Sequence, residues 1–161
     1  PVLMCTLGKA LGTFGAFVAG SDALVESLLQ RARPYVYTTA LPPAVASSTR
    51  AALRVMQDEP ERRERVLGHA RTFAVAVRDL GLNLMPSGTP IQPLVLGRES
   101  AALEASRALL EQGLWVPAIR PPTVPAGSSR LRVTFSAAHT AADVARLVDA
   151  LGVLAKRGVL S

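Results

Sequence analysis

The second half of the chain alternates between short extended segments and helical segments, and this order constrains the fold more than any other feature. Glycine and proline separate the segments, as is typical of turns between regular elements. We predict, in chain order, a strand over 91–96, a helix over 99–112 that ends at Gly113, a strand over 114–119, a loop over 120–129, a strand over 130–136 and a helix capped by Thr140. Such an order predicts a small α+β layer with its helices on one side of a short sheet.

Two further helices are predicted in the middle of the chain. One follows Pro42-Pro43 and runs to about Gln57, since proline is tolerated in the first helical turn. The next begins near residue 59, repeats apolar residues at helical spacing and stops at Gly81, which suits a left-handed helix end.

The first 45 residues contain segments that cannot form a domain alone. They predict a buried strand over 2–6, a strand over 14–19, a helix from Asp22 to about Arg33 and an extended run over 35–41. One hairpin and one helix cannot bury each other's apolar faces, so these segments are typical of the edge of a larger sheet. We therefore predict two domains, with residues 1–45 as the C-terminal edge of a large domain and residues 46–161 as a small C-terminal α+β domain.

Composition argues against several classes of protein. The net charge is +6, yet the basic residues are scattered and aromatic rings are few, so we expect no nucleic-acid partner. No run of 18 apolar residues occurs, so we expect no membrane association. The single cysteine, Cys5, cannot form an internal disulfide, which favours a cytoplasmic location. Because the chain begins at Pro1, we expect a C-terminal fragment of a longer protein.

The sharpest chemical signal is the segment Thr6-Leu7-Gly8-Lys9-Ala10. It places one of the chain's two lysines in a glycine-flanked turn after a strand, with a hydroxyl three residues earlier. A buried or half-buried lysine amine has a lowered pKa and attacks carbonyl groups as a nucleophile. The alternative for a lone lysine in a turn is an ordinary surface residue.

Three ordered stretches resemble the α-oxoamine synthase family of pyridoxal-phosphate enzymes, which condense an amino acid with an acyl thioester and release CO2. They are the lysine segment with the glycine-rich run to Ser21, the extended segment Tyr37-Thr38-Thr39-Ala40-Leu41-Pro42-Pro43, and the loop and strand over 119–132. The resemblance covers the whole chain. It implies an α/β fold of the fold-type I pyridoxal-phosphate-dependent transferases.

The resemblance also implies roles for the residues near the cofactor. Lys9 would bind pyridoxal 5'-phosphate covalently and then act as acid or base at the α-carbon of the amino acid. Thr6 would contact the cofactor phosphate. Thr38 and Thr39 would supply phosphate contacts to the neighbouring subunit, which implies a homodimer with shared active sites. The family's partners for the pyridine ring come from sequence upstream of the lysine.

The substrate-binding residues implied by the resemblance lie near the end of the chain. Arg132 would hold the amino-acid carboxylate with two hydrogen bonds, because a planar guanidinium matches a carboxylate. Arg120 would reach a carboxylate from a mobile loop, and Thr123 in that loop would also contact substrate. The loop is most similar to that of the biotin-pathway member, which joins L-alanine to a pimeloyl thioester carried by CoA or a carrier protein.

Other interpretations remain open at this point. A glycine-using family member, aminoketobutyrate ligase or aminolevulinate synthase, is the alternative within the family, and a non-catalytic α/β interaction domain is the alternative outside it. Thr38 and Thr39 also fit an ordinary strand. Arg130 and Arg132 alternate with apolar residues, so both are expected on one face of a strand. The alternative to a ligand-binding role is that this face is exposed to solvent.

Overall fold

The computed structural model describes residues 1–160 and divides the chain into two compact units, Pro1–Pro60 and Glu61–Ser161. Each unit is described by itself. The division between the units falls after the domain boundary that the sequence predicts between residues 45 and 46. The assignment of residues 46–60 to the small domain stays a prediction.

The first unit contains one hairpin and three helices. The elements in chain order are β1 (Leu3–Thr6), β2 (Ala16–Ala19), α1 (Asp22–Arg31), α2 (Arg33–Val36) and α3 (Pro43–Asp58). Strands β1 and β2 pair antiparallel, with Leu3 opposite Ala19 and Thr6 opposite Ala16. The two predicted strands and the predicted helices from Asp22 and from Pro43 are thus present.

Two expectations about this unit are wrong. Tyr35 and Val36 are not extended but belong to α2, because Pro34 sits in the first turn of a new helix, where its missing N–H is not needed. The strand β1 is not buried. Leu3 is 55% exposed and Met4 is 65% exposed, since β1 pairs with β2 alone in a two-stranded sheet.

The second unit is an antiparallel three-stranded sheet with three helices. The elements in chain order are α4 (Glu61–Asp79), β3 (Ile91–Gly97), α5 (Glu99–Glu111), β4 (Ala118–Ile119), β5 (Ser129–Thr134) and α6 (Ala141–Lys156). The strand order is β3-β5-β4, and both pairings are antiparallel.

Strand β4 is shorter than the predicted strand over 114–119. The carbonyl oxygen of Val116 accepts a hydrogen bond from the Ser106 hydroxyl of α5 at 2.6 Å. The carbonyl oxygen of Pro117 accepts from the amide of Arg132 at 3.0 Å, next to the paired residues Ala118 and Leu131. The segment before Pro117 is therefore held by α5, and regular pairing with β5 covers only the last two residues.

The core of the second unit is built on the alternation of side chains along the strands. Leu94, Leu131 and Val133 are buried, whereas Arg132 between the last two is exposed. One face of the sheet is therefore covered, and residues from all three helices join the same cluster of buried residues. The rings of Phe73 on α4 and Phe135 after β5 meet edge to face, with their centroids 5.2 Å apart.

Two features of the described residues bear on membrane and metal binding. Among residues 1–160, no helix is both long enough and apolar enough to cross a bilayer. The same residues contain no group of three or more His, Cys, Asp or Glu side chains arranged to hold a metal ion.

Helix α6 begins with a capping box, as the predicted cap at Thr140 requires. The Thr140 hydroxyl accepts a hydrogen bond from the amide of Asp143 at 3.2 Å, and the Asp143 carboxylate accepts from the amide of Thr140 at 2.7 Å. The backbone and hydroxyl hydrogen bonds from Thr140 lower the pKa of Asp143 below its ordinary value of 3.8. The charged carboxylate therefore stabilises the folded helix start.

Replacing this carboxylate should weaken the fold in a pH-dependent way. Because the folded-state pKa of Asp143 is lowered, its contribution is complete above the unfolded pKa and is lost as the pH falls through the folded value. We expect Asp143→Asn to lower the thermal midpoint at pH 7 and to differ less from wild type near pH 3. Circular dichroism melts measure this, with Asp149→Asn on the same helix as control. A difference that does not depend on pH would contradict the assignment.

Candidate active site

The Lys9 segment forms the connection between β1 and β2. The amide of Gly12 donates to the carbonyl oxygen of Lys9 at 3.0 Å, which closes a tight turn. The amide of Leu7 donates to the carbonyl oxygen of Gly15 at 2.8 Å, which joins the two ends of the connection. Gly12 and Gly15 adopt φ values of 62° and 99°, a region that other residues rarely enter. The backbone thus presents Lys9 at a defined place.

Side chains from two other parts of the first unit support this connection. The Thr49 hydroxyl on α3 lies 3.0 Å from the Thr13 hydroxyl, and the Thr13 hydroxyl donates to the carbonyl oxygen of Leu7 at 3.4 Å. A Cβ atom added at Gly15 would lie 3.1 Å from Leu41 Cδ1, so Gly15 allows Leu41 to pack against the turn. The Lys9 turn is therefore attached to α3 and to the segment before it.

Lys9 and Thr6 are both exposed, so the described residues do not provide the burial of the Lys9 amine that the sequence favoured for a nucleophilic lysine. Within residues 1–160, the amine of Lys9 has no hydrogen bond or ion pair. Thr6 is the last residue of β1 and lies opposite Ala16. A Cβ atom at Gly12 would meet nothing within 4 Å, so the turn leaves open space at Gly12, three residues after Lys9. A flat, phosphate-bearing group fits this arrangement of an amine, a hydroxyl and small residues.

Thr38 and Thr39 lie after α2 in a segment without regular structure, and both are exposed. The amide of Thr38 donates to the carbonyl oxygen of Tyr35 at 3.5 Å. Tyr37 beside them is exposed, and the guanidinium of Arg33 lies 6.0 Å from the centre of its ring. The alternative that both threonines are strand residues is therefore wrong, while their phosphate role stays a prediction.

Arg130 and Arg132 lie on the same face of β5, but only one of them has its guanidinium engaged. Arg130 donates from Nε to the carbonyl oxygen of Ser128 at 2.9 Å and from Nη1 to the sulfur of Met85 at 3.0 Å. Within the described part of the chain, the guanidinium of Arg132 has no hydrogen bond or ion pair, and the residue is exposed. The Arg132 guanidinium is thus available to bind a carboxylate with two parallel hydrogen bonds.

Arg120 follows β4 directly and begins a turn. The amide of Thr123 donates to the carbonyl oxygen of Arg120 at 3.0 Å, and the Pro121–Pro122 peptide bond between them is cis. The Arg120 guanidinium donates from Nη1 to the Glu99 carboxylate at 2.9 Å. The structure therefore brings Arg120 and Thr123 together in one turn, and it adds a partner for Arg120 that the sequence did not suggest.

The contacts that support the predicted site carried no signal in the sequence. Thr13 and Thr49 are 36 positions apart, and Glu99 and Arg120 are 21 positions apart. Threonine in a loop and glutamate in the first turn of a helix are both common, so neither carried a local signal.

The chain matches the family model described as aminotransferase class I and II over residues 1–151. The chain therefore belongs to this family. Curated relatives named 8-amino-7-oxononanoate synthase include one from Cellvibrio japonicus, 59% identical over 94% of this chain, and one from Thioalkalivibrio sulfidiphilus, 62% identical over 94% of it. The resemblance that the sequence showed is thereby confirmed.

Solved structures confirm the fold. A structure of SPT with a PLP internal aldimine superposes with a TM-score of 0.91 at 31% identity, covering 98% of this chain and 40% of that one. A structure of 8-amino-7-oxononanoate synthase from Francisella tularensis gives a TM-score of 0.85 at 26% identity, covering 98% of this chain and 46% of that one. The chain has the predicted α/β fold of the fold-type I transferases.

The chain spans only part of the length of its relatives. It covers 38% of the Cellvibrio japonicus and Thioalkalivibrio sulfidiphilus proteins named above. The activity, substrates and subunit partners of whole relatives therefore enter as proposals.

The hydrogen bond between Thr49 and Thr13 predicts how firmly the Lys9 turn is held. Thr49→Val removes the hydroxyl but keeps the branched shape, and a lost hydrogen bond of about 1 kcal/mol corresponds to roughly fivefold in an opening equilibrium. We expect faster hydrogen exchange at the amides of Gly12 and Thr13, measured by NMR or mass spectrometry. Ser48→Ala is the matched control, because that hydroxyl bonds within α3 to Ala44. Unchanged exchange in Thr49→Val would show that α3 does not hold the turn.

Proposed function

We propose that this chain belongs to a pyridoxal-phosphate-dependent acyltransferase with 8-amino-7-oxononanoate synthase activity. The enzyme would condense L-alanine with a pimeloyl thioester and release CO2, a step of biotin biosynthesis. The observation that carries the proposal is the exposed Lys9 on a glycine-rich turn, in a chain 59–62% identical to curated relatives of that name. The acyl group would arrive on CoA or on a carrier protein.

The residues of the Lys9 hairpin suit the proposed cofactor. The Lys9 amine would hold the cofactor covalently and, once released, would move a proton at the α-carbon of the amino acid. The Thr6 hydroxyl would donate a hydrogen bond to the phosphate, because a hydroxyl donates to an anion without adding a charge of its own. Pyridoxal phosphate supplies an electron sink for the carbanion formed at the α-carbon when CO2 leaves.

The second unit would supply the contacts to the substrate carboxylate. Arg132 is held on a strand of a packed sheet, so its backbone position is fixed, and its guanidinium is unpaired among the described residues. It would bind the alanine carboxylate with two hydrogen bonds. Arg120 and Thr123, joined in one turn, would contact substrate from the loop that follows β4.

We also propose a cytoplasmic homodimer with shared active sites. Thr38 and Thr39 are exposed on a segment without regular structure, so their hydroxyls are accessible to a second subunit. Large apolar residues beside them, including Tyr37 and Leu41, are exposed as well. Exposed apolar side chains of this size are typical of protein–protein interfaces.

The direct test of the function is the site of cofactor attachment. Borohydride reduction of the gene-encoded protein, loaded with pyridoxal phosphate, should fix the cofactor on Lys9, as shown by peptide mapping. Lys156 is the internal control, because it is the other lysine of the chain. Lys9→Ala should lose both the visible absorbance of the bound cofactor and the condensation of L-alanine with pimeloyl-CoA. Attachment at Lys156, or at neither lysine, would reject the proposal.

The role of Arg132 predicts a graded loss of alanine affinity. Arg132→Ala removes a charged two-bond contact of about 2–3 kcal/mol, which corresponds to roughly 30- to 200-fold weaker binding. Arg132→Lys keeps the charge without the fork, so it should recover only part of the loss. Spectroscopic titration with L-alanine measures both. Arg130→Lys, on the same strand face, is the control. Wild-type affinity in Arg132→Ala would place the carboxylate site elsewhere.

A further inference from the structure

The guanidinium of Arg120 forms an ion pair that the proposed reaction does not explain. Its Nη1 donates to Glu99 Oε1 at 2.9 Å, and both side chains are about half exposed, at 50% and 48%. An ion pair this exposed contributes little to stability, because water screens the charges and two long side chains lose freedom. A structural role is therefore a weak explanation for the contact.

The geometry leaves the other side of the guanidinium available. The hydrogen bond to Glu99 uses Nη1 alone. A guanidinium has five N–H donors, and a carboxylate forks onto Nε and Nη2 as readily as onto the two Nη atoms. Arg120 can therefore keep its bond to Glu99 while its Nε–Nη2 edge receives a second carboxylate.

Packing in the core of the second unit fixes the position of Glu99. Glu99 is the first residue of α5, directly after Gly97 and Arg98. Ala102 and Ala105 of α5 are fully buried, and small side chains there let the helix approach the sheet closely. Glu99 therefore stands on a packed element, whereas Arg120 begins an exposed turn.

We propose that Glu99 is a positioning residue that orients Arg120 for a substrate carboxylate. The proposal rests on the proposed function, because Arg120 is a substrate contact only in that reaction. Glu99 holds the long arginine side chain in one direction before substrate arrives. A long side chain that must be immobilised on binding weakens affinity, and Glu99 reduces this loss by ordering Arg120 in advance. The carboxylate in question is either the α-carboxylate of L-alanine or the terminal carboxylate of the pimeloyl group.

The experiment compares steady-state kinetics of the loaded, gene-encoded enzyme with its Glu99→Ala, Glu99→Gln and Arg120→Ala variants. We expect Glu99→Ala to raise KM about three- to tenfold for one of the two substrates while kcat changes less than twofold. Which KM rises, that of L-alanine or that of pimeloyl-CoA, identifies the carboxylate. Glu99→Gln keeps an acceptor oxygen and should restore part of the loss. Glu104→Ala, an exposed glutamate on the same helix, is the matched control.

The double variant separates positioning from a general effect on the fold. If Glu99 acts through Arg120, then Glu99→Ala should add nothing to the loss already caused by Arg120→Ala. Additive losses, a fall in kcat alone, or an unchanged KM in Glu99→Ala would overturn the proposal. Failure of the proposed function looks different, since wild type itself would then neither bind the cofactor at Lys9 nor condense the two substrates.

Discussion

The alternation of side chains along β5 is the constraint on which the second unit depends. Leu131 and Val133 enter the core, and therefore Arg130 and Arg132 must lie on the opposite, open face. A shift of the pairing by one residue would bury both guanidinium groups and expose both apolar side chains, which is why the register is strongly specified. The same burial that stabilises the sheet thus determines where its cationic groups are presented.

Backbone pairing then distinguishes the two arginines. Arg130 lies near the loop before β5, where a backbone carbonyl and the sulfur of Met85 accept its hydrogen bonds. Arg132 lies two residues further on, opposite Pro93, whose ring offers no acceptor. Two chemically identical residues on one strand face therefore differ in availability, because their neighbours differ.

The first unit depends on hydrogen bonds and tight turns more than on a core. Among residues 1–60, all of which the structure describes, Leu7 is the one buried hydrophobic residue. The turn that carries Lys9 is instead set by glycines with positive φ and by the contact between Thr13 and Thr49. The turn therefore holds the backbone of Lys9 in place although the residue itself is exposed.

The sequence by itself determined the features that depend on neighbouring residues. The capped start of α6, the glycine ends of α4 and α5, the proline start of α3 and the Lys9 turn follow from chemistry within a few positions. The family motifs identified the fold for the same reason, since each is a contiguous stretch. Tertiary structure alone decided the short β4, the lack of a partner for the Arg132 guanidinium among residues 1–160 and the bond from Glu99 to Arg120. These features depend on residues distant in sequence, because only the packing of the helices against the sheet decides which atoms come within hydrogen-bond distance of one another.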